Sequence, residues 1–209
     1  NMITQRPVAA FLDDLASSAP TPGGGSAAAV VGAMGAALVS MVCSVTLGKK
    51  GQEAVESEMK GVLGLSERLR TQLTAMAAAD ITAFDGLMAA YRLPKTNEAE
   101  KSRRGAAIQQ NLRAATETPL ECARACAEVV ALSHRAGLSG YSGVISDAGV
   151  AALTANAALR SAALNVYINV PALEDRVFVS QATAELEQLL QSSERESETV
   201  FALVRKRLQ

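Results

Sequence analysis

The chain has 209 residues, 49% hydrophobic and 20% charged, which is the composition of a folded globular domain and too apolar for a disordered one. Twenty basic residues against 21 acidic ones leave a net charge of −1, which argues against a nucleic-acid partner bound through bulk positive charge. A single histidine, three cysteines with no Cys-x-x-Cys pair and no tryptophan argue against a zinc site, a disulfide framework and an aromatic stacking platform.

The N-terminus lacks a basic stretch followed by an apolar run, so no export signal is expected. Unpaired thiols fit a reducing, cytoplasmic compartment. A first helix is predicted from about Arg6 to Ala16. Ser17, Ser18, Pro20, Pro22 and three glycines then force a loop. A second helix, about Ser26 to Gly48, follows. From Leu15 to Gly48 there is no charged residue, and the stretch is long enough to span a bilayer. It is built mostly of Ala, Gly, Ser and Val, with no aromatic at either end. A helix buried in a helical bundle is therefore expected, and no membrane partner.

The third helix runs from about Gln52 to Tyr91, where Leu93-Pro94-Lys95 ends it. Asn97 with Glu100 opens a fourth. Thr118-Pro119-Leu120-Glu121 offers a hydroxyl cap, a proline where no N–H is needed and a glutamate at the third position. A fifth helix is predicted to start there and to stop near Gly137. After the glycine-rich stretch Gly137 to Gly143, Ser146 or Asp147 caps a sixth, nearly charge-free helix that ends at Pro171. A seventh, amphipathic and charged, covers about Asp175 to Leu208.

The predicted fold is thus all-α: one domain over residues 1–209, a bundle of about seven helices with the apolar second and sixth at its centre. Ala28, Gly32, Gly35 and Ala36 let backbones approach closely, and such a surface also suits a subunit contact. A homodimer is expected.

Five features can carry chemistry. Pro22, Gly23, Gly24, Gly25 and Ser26 precede the apolar helix. Free N–H groups at a helix start and glycines that admit a ligand to the backbone make an anion or carbonyl cradle. The alternative is a flexible connection ending in a serine cap. Asp80 lies on a stripe of the third helix with Val62, Leu69, Leu73, Met76, Phe84 and Leu87, so it faces inward. A lone carboxylate there is either paired or kept for use. Ser146-Asp147 sits at a helix start, where a carboxylate serves as a cap or as a reactive group. Asp80 in an apolar setting and Asp147 at a helix start occupy contrasting environments, an arrangement that separates a general acid from a general base. Lys49 and Lys50 follow the apolar helix and either offset its terminal dipole or hold a ligand carboxylate. Asn165 and Asn169, four apart on the sixth helix, share a face and need partners there. His134 and the cysteines Cys43, Cys122 and Cys126 read as structural.

Taken together, these residues resemble the cyclodeaminase/cyclohydrolase family of folate enzymes. The likeness is carried by Ser18-Ala19-Pro20-Thr21-Pro22-Gly23-Gly24-Gly25-Ser26, Thr46-Leu47-Gly48-Lys49-Lys50, Asp80-Ile81-Thr82-Ala83-Phe84-Asp85, Leu93-Pro94-Lys95, Ser146-Asp147-Ala148-Gly149 and Asn165-Val166-Tyr167-Ile168-Asn169, in order over nearly the whole chain. Two stretches depart from it. Gly140-Tyr141-Ser142-Gly143 stands where the family has Gly-Asn-x-Asn, and Gly51-Gln52 where a Lys-Tyr pair commonly follows the double lysine.

The resemblance implies a helical homodimer with folate as substrate, no metal and no separate cofactor. It implies hydrolysis of 5,10-methenyltetrahydrofolate, with cyclodeamination of the formimino derivative or folate binding without catalysis as alternatives. Under it, Asp147 is expected to act as base and Asp80 as acid, or the reverse. Lys50 would stabilise charge on oxygen or hold the substrate glutamate, and Lys49 and Ser146 would assist binding. The Pro22–Ser26 segment would cradle the folate, and Asn165 and Asn169 would bond the pterin.

Overall fold

Long runs at helical spacing, with hardly any alternation, become six α-helices in the computed structural model, which describes residues 6–209. No strand occurs among the described residues. The N-terminal reading extends over residues 1–5, which lie outside the described residues. The helices are α1 Val8–Leu15, α2 Gly24–Thr46, α3 Glu56–Tyr91, α4 Glu98–Ser139, α5 Ile145–Asn169 and α6 Arg176–Arg207. Single 3-10 turns over Glu53–Val55, Ser142–Val144 and Val170–Ala172 join them.

Six helices rather than seven arise because Thr118-Pro119 does not start a helix but lies within α4, a rod of 42 residues. Proline deprives the carbonyl four residues earlier, that of Ala115, of its N–H partner. The Asn169 side chain on α5 restores it, Nδ2 donating to the Ala115 oxygen at 3.0 Å. Thr118 Oγ turns back to the Ala114 carbonyl instead of capping. Long-range repair by a residue 54 positions away is invisible to a local start signal. Asn169→Ala is therefore expected to leave a half-buried carbonyl unpaired and to lower unfolding free energy by about 1 kcal/mol. Chemical denaturation checks this, and a change within error removes the repair from the account.

The apolar α2 and α5 are central, as their composition predicts. They run antiparallel: Gly24 lies beside Asn165, Gly35 beside Ala151, and Gly140, just before α5, beside Val42. Together they pack on α4, with α3 flanking α2 and α6 flanking α5. A Cβ on Gly32 would meet Cys126 Sγ at 2.7 Å, and one on Gly35 would meet the Ala151 carbonyl at 3.1 Å. The small residues Ala28, Gly32, Gly35 and Ala36 are thus all buried within the chain. This corrects the expectation that they serve a subunit contact.

Burial is also not complete around either helix. On α2, Val31, Met34, Leu38, Met41 and Val45 form a charge-free edge, with Met34 56% exposed. On α5, Asp147, Val150, Thr154, Ala157, Ser161, Leu164 and Ile168 follow one another by steps of three and four. Leu164 is 69% and Ile168 77% exposed. Both edges face away from α4, so they form one apolar surface. By length and composition α2 and Glu53–Tyr91 could cross a membrane, yet half of the apolar window of α2 is buried against its neighbours.

Polar contacts fix the outer helices. Arg124 on α4 makes a two-pronged pair with Glu185 on α6, at 2.6 and 2.7 Å, which holds the Glu185 carboxyl below the usual carboxylate range. Arg207 donates to the carbonyls of Gly137, Leu138 and Gly140 and so caps the end of α4. His134 pairs with Glu196 on α6, a structural contact. The three cysteines are buried. Burial pushes the Cys43 thiol up to about 11, and a contact with Cys122, together with burial, pushes Cys126 well above the ordinary value. Inert packing is what such thiols do.

Candidate active site

The third helix delivers Asp80 because its inward stripe outruns its cover. Met59, Val62, Leu69, Leu73 and Met76 are buried against α2 and α4, and at Asp80 and Phe84 the stripe opens to half-burial. The opening is a cleft of about 330 Å³, within the range of small-molecule sites. Its walls are the start of α2 with Gly23, Gly24 and Gly25, the α3 residues Asp80, Phe84 and Leu87, and the end of α5 with Asn165, Ile168 and Asn169.

Gly23 is the N-cap of α2 and contributes no side-chain bond. Ser26 lies inside the helix and does not cap it, which corrects the serine-cap reading. The backbone N–H groups of Gly24, Gly25 and Ser26 therefore face the cleft end of the helix without a capping side chain, and they add partial positive charge there. The fully buried Ser26 Oγ lies 2.8 Å from Asp80 Oδ2 and 3.0 Å from the Ala77 carbonyl. One hydroxyl proton serves both protonation states of the acid. Ser26 donates to an ionised Asp80, and a protonated Asp80 donates to Ser26, which then donates to Ala77. A group that must take up and release a proton keeps its bond either way.

Gly25 is what lets the carboxylate reach the helix end. A Cβ there would lie 2.1 Å from Asp80 Oδ1 and 2.6 Å from its Cγ. Behind the carboxylate, a void of about 10 Å³ lined by Thr118, Pro119 and Cys122 has the size of one water molecule. On the far wall, Asn165 donates to the Ser161 carbonyl, and Asn169 donates to Ala115 and to the Asn165 carbonyl.

The structure thus brings Pro22–Ser26, Asp80, Asn165 and Asn169 to one end of the bundle. It does not bring Lys49, Lys50, Ser146 and Asp147 there within one chain. Asp147 and Asn165 stand at opposite ends of α5, about 27 Å apart along its axis. Gly25 and Lys49 are separated by the length of α2, about 35 Å. The convergence of Asp80 and Asp147 in one chain is corrected accordingly: Asp80 lies against the Gly25 end of α2, beside the Asn165 end of α5, and Asp147 lies in the first turn of α5 at its other end. The second group has its own order. Lys49 Nζ sits 4.6 Å over the Tyr141 ring, and Thr46 Oγ accepts the Tyr141 N–H at 2.9 Å, which ties the α2 end to the loop before Asp147. Neither Lys49 nor Lys50 has a carboxylate partner among the described residues.

Sequence reasoning missed Phe84, Leu87 and Ile168 as wall residues. The first two lie on the Asp80 stripe, and extending the site along it finds them. Ile168 belongs to the Asp147 stripe, which signals nothing about a cleft at its far end.

Set against known proteins, this helical acid-and-amide cleft has clear relatives. The family described as formiminotransferase-cyclodeaminase matches residues 7–188. A methenyltetrahydrofolate cyclohydrolase of Methylorubrum extorquens is 54% identical over 198 residues, covering 95% of each chain. The formimidoyltransferase-cyclodeaminase of Sus scrofa is 34% identical over 207 residues, 99% of this chain but 38% of that one. The crystal structure of formiminotetrahydrofolate cyclodeaminase from Thermotoga maritima superposes with a TM-score of 0.84 at 30% identity, covering 99% of this chain and 97% of that one. The chain belongs to the formiminotransferase-cyclodeaminase family.

Proposed function

We propose that the protein hydrolyses 5,10-methenyltetrahydrofolate to 10-formyltetrahydrofolate. The observation that carries this reading is the likeness, over almost the full length of both chains, to a protein named for that reaction. Asp80, the one carboxylate among the described cleft residues, supplies a group able to move the protons.

Water adds to the cationic carbon that bridges N5 and N10, and Asp80 accepts a water proton as the C–O bond forms. The product of that step is a neutral tetrahedral carbinolamine. It collapses as the C–N5 bond breaks and the C=O bond forms. N5 takes the proton held by Asp80, the hydroxyl proton leaves to a second base or to solvent, and one proton is released overall. The free N–H groups at the start of α2 and the oxygens of Asn165 and Asn169 orient the bound ring system. Such a substrate is already electrophilic, so this route asks for no metal and no separate cofactor. We further propose a cytoplasmic homodimer formed through the apolar α2–α5 surface.

Loss of methenyltetrahydrofolate absorbance with purified protein tests the reading. Turnover well above the buffer rate is expected, and hydrolysis no faster than buffer rejects it. A second reading, cyclodeamination, is favoured by the fold match to the Thermotoga maritima enzyme. Ammonia release from 5-formiminotetrahydrofolate selects it.

A further inference from the structure

We infer that Ser26 is the positioning residue for proton transfer at Asp80. Its buried hydroxyl holds Oδ2 of the carboxyl in every protonation state, which leaves Oδ1 as the atom that takes a proton from water and returns it to N5. This deepens the proposed hydrolysis and rests on that reading.

The hydroxyl is placed unlike the other buried ones on these helices. Thr46, Thr116 and Ser133 each donate to the carbonyl four residues earlier in their own helix. Ser26 is the third residue of α2, so the residue four back, Pro22, precedes the helix. Its hydroxyl reaches across to α3 instead, where Asp80 Oδ2 lies at 2.8 Å and the Ala77 carbonyl at 3.0 Å. The bridge ties the start of α2 to the turn of α3 that carries the acid. Ser26 is fully buried and is not among the residues that wall the cleft. It therefore acts on a guest through Asp80.

The two carboxyl oxygens of Asp80 are unequal. Oδ2 is held by Ser26, while Oδ1 accepts no hydrogen bond among the described residues. Oδ1 lies over the first turn of α2, where the missing side chain of Gly25 leaves it room. An aspartate carboxyl turns broadly about its Cβ–Cγ bond, and a freely turning one offers either oxygen at varying angles. The Ser26 bond stops that rotation without consuming the acid. Ionised Asp80 accepts from Ser26. With a proton on Oδ1, Oδ2 is a carbonyl oxygen and still accepts. With the proton on Oδ2, the acid donates and Ser26 turns to Ala77.

No partner is lost as the proton moves, so the group is preorganised for both halves of the reaction. The proton leaves water for Oδ1 as the C–O bond forms. It leaves Oδ1 for N5 as the C–N5 bond breaks.

A double-mutant cycle tests the inference. Ser26→Ala is expected to lower kcat for methenyltetrahydrofolate about 10-fold and to leave KM within about 2-fold of wild type, since the hydroxyl touches no guest. Ser26→Cys keeps the volume with a weaker donor and is expected to be several-fold slower than wild type. The same cycle runs on it if the alanine variant does not fold. In the Asp80→Asn background, itself about 10² slower, either change is expected to cost less than about 2-fold, because no proton transfer is left to position. A merely structural serine gives costs that multiply, to about 10³ for the double variant. Multiplying costs overturn the inference. So does wild-type kcat in the Ser26 variants, or a rise in KM at constant kcat, which marks a binding residue.

Wild-type turnover separates this from the hydrolysis reading. A wild type that leaves methenyltetrahydrofolate intact but releases ammonia from 5-formiminotetrahydrofolate rejects the hydrolysis, and the cycle is then read on ammonia release with the same non-additivity expected. Wild-type turnover of either substrate with multiplying costs rejects the role of Ser26 alone.

Discussion

Asp80→Asn is expected to lower methenyltetrahydrofolate turnover by about 10² or more while leaving the fold intact, because the amide is nearly isosteric and still accepts the Ser26 proton through its oxygen. What it loses is the capacity to take a proton from water and return it to N5. The comparison of rate with unfolding free energy decides the matter. A reactive role predicts a collapse in rate with a change in stability of no more than about 1 kcal/mol. If stability falls while the residual folded protein keeps its specific activity, Asp80 is a packing residue and the cleft has no acid–base group of its own.

Gly25→Ala tests the same site from the other side. Nothing in backbone conformation demands glycine there, since Gly25 lies in the first turn of α2, where alanine is the better helix former by about 0.5–1 kcal/mol. The demand comes from contact, because the added carbon would fall 2.1 Å from Asp80 Oδ1. The carboxylate must swing away from Ser26, and a displacement of about 1 Å is worth about 10² in rate. Gly24→Ala is the control. Its Cβ would meet Asn165 at 3.8 Å, an ordinary contact, so a much smaller loss is expected. Equal rates for wild type and Gly25→Ala would show that Asp80 does not need its place against the helix.

Much of this arrangement could be read in the sequence, and the failures share one cause. The stripe from Met59 to Leu87 located Asp80 on the inward face of a single helix, because helical spacing is a local property. The apolar character of α2 and α5 placed them at the centre for the same reason. Distance between helix tips is legible too, once the helix is taken whole: 18 residues at about 1.5 Å each set Asp147 and Asn165 about 27 Å apart, so one chain cannot use them together. Pro119 misled. Its surroundings satisfy every local rule for a helix start, and a side chain from α5 overrides them. The small residues of α2 misled differently, since close packing inside a chain and across a subunit boundary call for the same residue types.

The Asn169 bond to Ala115 also restricts what the cleft can accept. Both protons of its amide are already given away, one to the carbonyl that Pro119 orphans and one to Asn165. Donation to two carbonyls fixes which end of the amide is nitrogen, so the oxygen alone is left for a guest. A molecule that meets the Asn169 side chain must therefore arrive with an N–H or O–H to offer. An isostere that presents a lone pair at the same place is refused, and a break in the middle of α4 becomes a filter for ligand polarity.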